Sequence, residues 1–241
     1  MIKLPTLQGV IHRRILTNFR VDAEIMQRHL PLRFRPKLHK GYAVAGICLI
    51  RLEHIRPKLT PEFVGLNSEN AAHRVAVYWD EDGKTREGVY IARRDTGSTL
   101  NHLAGGRLFP GEQHHARFQV EETDLHIELA MQSDDGAIAI KIAGDITQDL
   151  PANSIFSSVA EASAYFEGGA LGYSVTADPH RLDGITLATK EWRVEPLDIK
   201  QVHSSYFFDE TKFPAGSITF DHALIMRNVA HEWHAAADLY V

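Results

Sequence analysis

Glu69 and Arg74 stand five positions apart in the stretch Leu66-Asn67-Ser68-Glu69-Asn70-Ala71-Ala72-His73-Arg74-Val75-Ala76-Val77-Tyr78-Trp79. The second half of the stretch is β-branched and aromatic, the pattern of a strand. A carboxylate and a guanidinium at the mouth of a strand can hold a small polar substrate on a rigid support. They can equally form a solvated ion pair that contributes little.

Three other groupings carry chemistry-bearing side chains. His12-Arg13-Arg14, with Arg20 further on, offers arginines that stay charged and grip carboxylates bidentately, or a solvated strand face. Glu112-Gln113-His114-His115 offers a histidine near a glutamate, suited to acid–base work near neutral pH, or a polar edge. If the segment is a strand, His114 and His115 point to opposite faces and do not share an ion. The third grouping is the tail His222-Ala223-Leu224-Ile225-Met226-Arg227-Asn228-Val229-Ala230-His231-Glu232-Trp233-His234. His231 and His234 would share a face of a helix. They lack the His-Glu-x-x-His spacing and an evident third ligand, so no metal is expected. No Walker loop, dinucleotide glycine fingerprint or Gly-x-Ser-x-Gly elbow occurs.

Many short strands must position these groups. Residues 10–21 alternate loosely as a first strand, and Asp22 is placed to cap a short helix over 23–30. Residues 41–52 are nearly all apolar, as in a strand buried on both faces. Pro57, Pro61 and Gly65 predict a long loop over 53–65. Asp80-Glu81-Asp82-Gly83 is a turn, and 88–93 returns as a strand. Residues 98–109 read as a short helix weakened by two glycines, followed by a strand around 116–120. The clearest hairpin alternates Leu125, Ile127, Leu129 and Met131 against Ile138, Ile140 and Ile142. With Gln132 facing Ala137, Glu128 faces Lys141. Residues 154–166 predict the best helix, ended by Gly168-Gly169. Further strands are expected at 172–175, 185–189, 191–194, 203–208 and 217–226. Few helices and no repeat predict a single mainly β domain over 1–241.

The chain has 241 residues, 44% hydrophobic and 24% charged, enough to bury a core without staples. A net charge of -5 argues against nucleic acid. No apolar run reaches the length of a membrane helix, and Met1-Ile2-Lys3-Leu4-Pro5 opens no signal sequence. A cytoplasmic protein away from membranes is expected. The single cysteine, Cys48, has no disulfide partner and reads as a small buried hydrophobe.

Asn18-Phe19-Arg20-Val21-Asp22, His29-Leu30-Pro31, Gly41-Tyr42-Ala43-Val44-Ala45-Gly46, Arg56-Pro57, Ser68-Glu69-Asn70, Gly88-Val89-Tyr90, Ala104-Gly105-Gly106-Arg107-Leu108-Phe109 and the tail occur in an order that resembles the YqjF-like uncharacterised family. That family is a branch of the acetoacetate decarboxylase superfamily. The resemblance implies an antiparallel, cone-like β-barrel with a few short flanking helices, a pocket inside, and assembly into a homo-oligomer. In acetoacetate decarboxylase a lysine of lowered pKa forms a Schiff base, and a glutamate and an arginine position the substrate. Glu69 matches that glutamate; the arginine falls near His12, Arg13 or Arg14. The lysine pair falls near Glu112-Gln113-His114-His115, where there is no lysine.

Acetoacetate decarboxylation is therefore expected to be absent, and no cofactor is expected. The reading is a pocket for a small carboxylate or carbonyl compound. Arg13, Arg14 and Arg74 are the candidate substrate-binding residues. Glu69 is the candidate acid or base and His114 its partner, in proton-transfer or lyase-type chemistry. A non-catalytic ligand-binding or structural module is the alternative.

Overall fold

The structure is a computed structural model that describes residues 5–104 and 110–241. Its first long strand, β1 (Leu7–Asp22), ends where the Asp22 carboxylate accepts the Glu24 and Ile25 amides and starts α1 (Ala23–Arg28). Two short strands, β2 (Arg35–Pro36) and β3 (Leu38–His39), lead to β4 (Tyr42–Pro57), β5 (Leu66–Glu81) and β6 (Lys84–Thr96). After α2 (Thr99–Ala104) come β7 (Gln113–Glu122), β8 (His126–Ser133) and β9 (Ala139–Ile146). Helix α3 (Val159–Glu167) precedes β10 (Leu171–Val175), β11 (Arg181–Thr189), β12 (Glu195–Ser204), β13 (Ile218–Ala235) and β14 (Leu239–Tyr240).

Among the described residues fourteen strands belong to one sheet, and its pairings return on themselves twice. One ring runs β13–β1–β4–β5–β6–β10–β11 and closes through the β11–β13 pairing. The other leaves the same wall at β6 and returns through β7, β8, β9 and β12 to β13. The wall β13–β1–β4–β5–β6 is therefore shared and buried on both faces. This is why residues 41–52 carry almost no polar side chain. Closure is uneven: β6–β10, β6–β7 and β12–β13 each pair over only three residues. The first two of these joints are parallel, within a barrel otherwise antiparallel as expected.

One face of the shared wall packs the largest core cluster, including Ile15, Leu49, Val75, Ile127, Leu129, Ile140 and Ile225. The other face, inside the smaller ring, packs Leu16, Val44, Ala72, Ile91 and Leu224 against Phe156, Ala162 and Phe166 of the α3 region. Leu7, Ile11, Leu52, Ile55, Met226 and Val229 fill the ring's other end. Each large side chain buried in this way contributes about 1.5–3 kcal/mol.

Several elements differ from the sequence expectation. The loop over 53–65 is strand as far as Pro57, because β1 continues to pair with it at Leu7 and Gln8. The rest holds a single turn of 3-10 helix, Glu62–Val64. The β8–β9 hairpin is shifted by two residues. Gln132 faces Ala139 and Ala130 faces Lys141, while Glu128 opposes Ala143. The Ser133 backbone and hydroxyl bind Ile138 around a positive-φ Gly136, so the turn takes in residues assigned to the strand. The helix over 154–166 starts late, at Val159. Asp221 holds the Ser154 hydroxyl and the Ile155 amide, and Ser158 caps the Glu161 amide instead. Residues 191–194 form no strand, β12 beginning at Glu195, and residues 205–208 are turn. Of the helix over 98–109, Thr99–Ala104 is formed and 105–109 lie outside the described residues. The strand expected over 217–226 is present and continues through the tail to Ala235 as the 18-residue β13.

Candidate functional site

The smaller ring encloses a cavity of about 110 Å³ to which every one of its seven strands contributes a residue. Its apolar lining includes Ile50, Leu52, Ile91, Ile185, Leu187 and Trp233. Set against it are Arg14 of β1, Arg74 of β5 and Arg94 of β6, with Asn70, Gln113 and Cys48.

Two irregularities aim these arginines. Opposite β4 the register of β1 skips His12, so Ile11 pairs with Leu52 and Arg13 with Arg51. An extra residue in a strand reverses the facing of everything beyond it. Arg14, not Arg13, consequently joins Ile11 on the cavity side. In β6 the register skips Ala92, pairing Arg74 with Ile91 and His73 with Arg93. Arg94 is thereby turned to the same side as Ile91.

Each guanidinium is held by neutral partners. Arg14 donates its Nε–H to the Cys48 sulfur at 3.2 Å and lies 5.8 Å from the Trp192 ring centroid. Arg94 donates to the Ser174 hydroxyl at 2.9 Å. Arg74, only 6% exposed, donates to Asn18 Oδ1 at 2.5 Å and sits over Phe166 at 5.0 Å. Among the described residues none of the three forms an ion pair, and Arg14 Nη1 and Arg74 Nε are buried without an acceptor. Burial lowers Arg74 and Arg94 to about 10 each; both remain charged at neutral pH. Asp95 also borders the cavity, but Arg93 binds its carboxylate at 2.8 Å. Arg74 is buried and Arg14 and Arg94 are half-buried; three guanidiniums beside an apolar wall are costly unless an anion joins them. Their forked donors match a carboxylate.

Behind Arg74 the contacts continue as an ordered relay. Asn18 uses both amide hydrogens, one on the Leu16 carbonyl and one on His222 Nε2 at 3.1 Å. Its oxygen is left for Arg74. His222 must then donate from Nδ1, and Asp221 accepts at 2.6 Å. Burial lowers the His222 pKa against the pull of Asp221, which favours the neutral ring this pattern requires. Despite its own burial, the Asp221 carboxyl is held down at about 2 by His222, Ser154 and the Ile155 amide.

Of the residues singled out from sequence, Arg14 and Arg74 line the cavity. Arg13, Glu69 and His114 do not. Arg13 has no exposed surface and is bound by Glu69 at 2.6 Å and Glu122 at 3.0 Å on the opposite face of the wall. Glu69, 15% exposed, also meets Arg51 at 3.5 Å. His114 lies 3.4 Å from Asp135, next to the Arg93–Asp95 pair. Arg94, Gln113, Cys48 and the Asn18–His222–Asp221 relay were not singled out for the pocket. The adjacent Arg93-Arg94 pair beside an apolar strand was the available signal, since alternation sends one of any two neighbours inward.

No lysine lines the cavity among the described residues. Lys37 borders a narrow adjoining recess that shares Arg14 and Arg74, and Glu87 binds its Nζ at 2.8 Å. Among the described residues no group of three or more His, Cys, Asp or Glu side chains could hold a metal. On a strand, His231 and His234 face opposite ways. None of the described helices is long and apolar enough to cross a membrane.

The sequence profile of DUF2071, described as "Uncharacterized conserved protein (COG2071)", matches residues 11–229. No curated protein matches the chain. Among solved structures, acetoacetate decarboxylase from Legionella pneumophila superposes with a TM-score of 0.63 at 12% identity, over 98% of this chain and 88% of that one. An acetoacetate decarboxylase-like enzyme from Sphingomonas wittichii RW1 gives 0.59 at 10% identity, over 100% and 94%. The enduracididine biosynthesis enzyme MppR complexed with pyruvate gives 0.58 at 8% identity, over 100% and 91%. The mainly β, acetoacetate-decarboxylase-like fold is thus present.

Proposed function

The chain belongs to the DUF2071 family, within the acetoacetate-decarboxylase-like superfamily, and from that footing we propose that the smaller ring binds a small carboxylate on Arg14, Arg74 and Arg94. The carrying observation is that three guanidiniums converge on one cavity with only neutral hydrogen-bond partners, Cys48, Asn18 and Ser174. A hydrophobic cavity of ~150 Å³ accommodates a six-carbon ring. The space here therefore suits a ligand of about six heavy atoms, the size of a short 2-oxo acid. The apolar side would receive its carbon end, and Gln113 and Asn70 would bind further oxygens. MppR, of similar fold, is described in complex with pyruvate, which makes pyruvate the natural first probe.

On this reading Glu69 and His114 act from the far face of the wall. Glu69 neutralises buried Arg13, and His114 belongs to the Arg93–Asp95–Asp135 cluster. Imine chemistry is not part of the proposal, because no lysine lines the cavity among the described residues. Calorimetric titration with pyruvate and with its neutral methyl ester tests the reading. Pyruvate binding that disappears in Arg14→Met, with no binding of the ester, is expected. Equal affinity for acid and ester, or an unaltered titration of the variant, would refute it.

A further inference from the structure

Cys48 is the chain's sole cysteine, 7% exposed, and it lines the same cavity as the arginines. Its sulfur accepts the Arg14 Nε–H at 3.2 Å. Across the sheet Ala72 alone separates Cys48 from Arg94, and Arg74 stands two residues beyond Ala72 on the same strand, so all three guanidiniums share the cavity lining with the sulfur. On β5 the residue opposite it is Ala72, the smallest side chain that could stand between the sulfur and the cavity both residues line. A second observation points to a ligand at this spot. Arg74, more than nine-tenths buried and lining the same cavity, holds an Nε–H with no acceptor. Cys48 belongs to the apolar cluster of Leu16, Ala72 and Ile91, and the arginines border that cluster at its sulfur; guanidiniums beside a sulfur are the setting of a reactive cysteine.

We propose that Cys48 is a nucleophile that adds reversibly to the carbonyl carbon of a 2-oxo acid whose carboxylate is bound by the arginines. The inference rests on the carboxylate-binding reading above and specifies its ligand class. In the addition, an S–C bond forms and the carbonyl π bond breaks. The electron pair goes to the carbonyl oxygen, and the thiol proton ends on that oxygen. The product is a neutral thiohemiketal that needs no oxidant, reductant or co-reactant. The guanidiniums stabilise the developing oxyanion in the same low-dielectric space, as preorganised donors do in acyl transfer. The fold thereby acquires a covalent anchor that is not a lysine amine.

The test is a titration of wild type and of Cys48→Ser and Cys48→Ala with pyruvate labelled with carbon-13 at C2. Binding is read by calorimetry and the carbon by NMR, with circular dichroism verifying that each variant is folded. The proposal expects a protein-bound tetrahedral carbon resonance in wild type that both variants lose. The variants still bind pyruvate, more weakly, through the arginines. Calorimetric binding by wild type without the resonance would overturn the nucleophile and leave the carboxylate site standing. The same resonance in Cys48→Ala would also overturn it. So would a borohydride-trapped adduct on a lysine. No binding at all would overturn both readings.

Discussion

Replacing Arg74 by methionine separates a binding role from a structural one. Burial takes this guanidinium from its ordinary value to about 10. At 1.36 kcal/mol per tenfold change in acidity, holding it charged costs about 3 kcal/mol. Methionine removes that cost and keeps an unbranched chain over Phe166, where sulfur packs well. Against this, Asn18 Oδ1 loses its donor, a buried acceptor left unmade at about 1–3 kcal/mol. The two changes nearly cancel, so urea unfolding should place Arg74→Met within about 2 kcal/mol of wild type. Pyruvate affinity should behave differently. A hydrogen bond to a charged group is worth about 1.5–3 kcal/mol, so binding should weaken roughly 10- to 100-fold. A variant that unfolds much more easily yet binds pyruvate as wild type does would show that Arg74 holds the wall together and refute the reasoning.

Asp221→Asn removes the carboxylate that fixes the His222 tautomer and reaches Arg74 through Asn18. It should cost about 2 kcal/mol in urea unfolding, from the descent of the Asp221 carboxyl to about 2, and weaken pyruvate binding as well. Glu69→Gln should destabilise by about 3 kcal/mol, because fully buried Arg13 loses one of its two carboxylates. Pyruvate titration of that variant should match wild type; a lost titration in a folded Glu69→Gln protein would return Glu69 to the site. Thermal stability should also fall on acidification. Burial, reinforced by Arg14, lowers His231 to about 4, and burial, reinforced by Arg93 and Lys212, lowers His73 to about 3. Between those values and the ordinary 6.5 the unfolded chain binds more protons. The stabilisation is therefore complete above pH ~6.5 and lost as the pH falls toward 4, about 3 kcal/mol for His231 alone. A melting temperature constant across that window would contradict the burial of these rings.

Much of the fold was legible wherever burial and local chemistry agree. The continuous apolar run before Leu52 announced a wall buried on both faces, and Asp22 announced the α1 cap. What escaped depended on partners distant in sequence. Asp221 truncates the α3 segment from 66 or more residues away, through Ser154 and Ile155. The continuation of the last long strand beyond residue 226 depends on β1 and β11, which pair with it on both sides. The site was harder still. Whether Arg13 or Arg14 faces the cavity turns on a single skipped residue, His12, and the inward turn of Arg94 on Ala92. Single-residue irregularities of register leave no mark in composition or periodicity. Glu69 drew attention by its type and place, yet alternation sets its neighbour Asn70 toward the cavity instead.

The central claim is that a carboxylate belongs among Arg14, Arg74 and Arg94. A crystal structure of the protein soaked with pyruvate tests it most directly. The account predicts the pyruvate carboxylate within hydrogen-bond distance of at least two of these guanidiniums, inside the seven-strand ring and close to Cys48. Pyruvate seated on the Glu69 face of the wall, or against a lysine elsewhere, would contradict it.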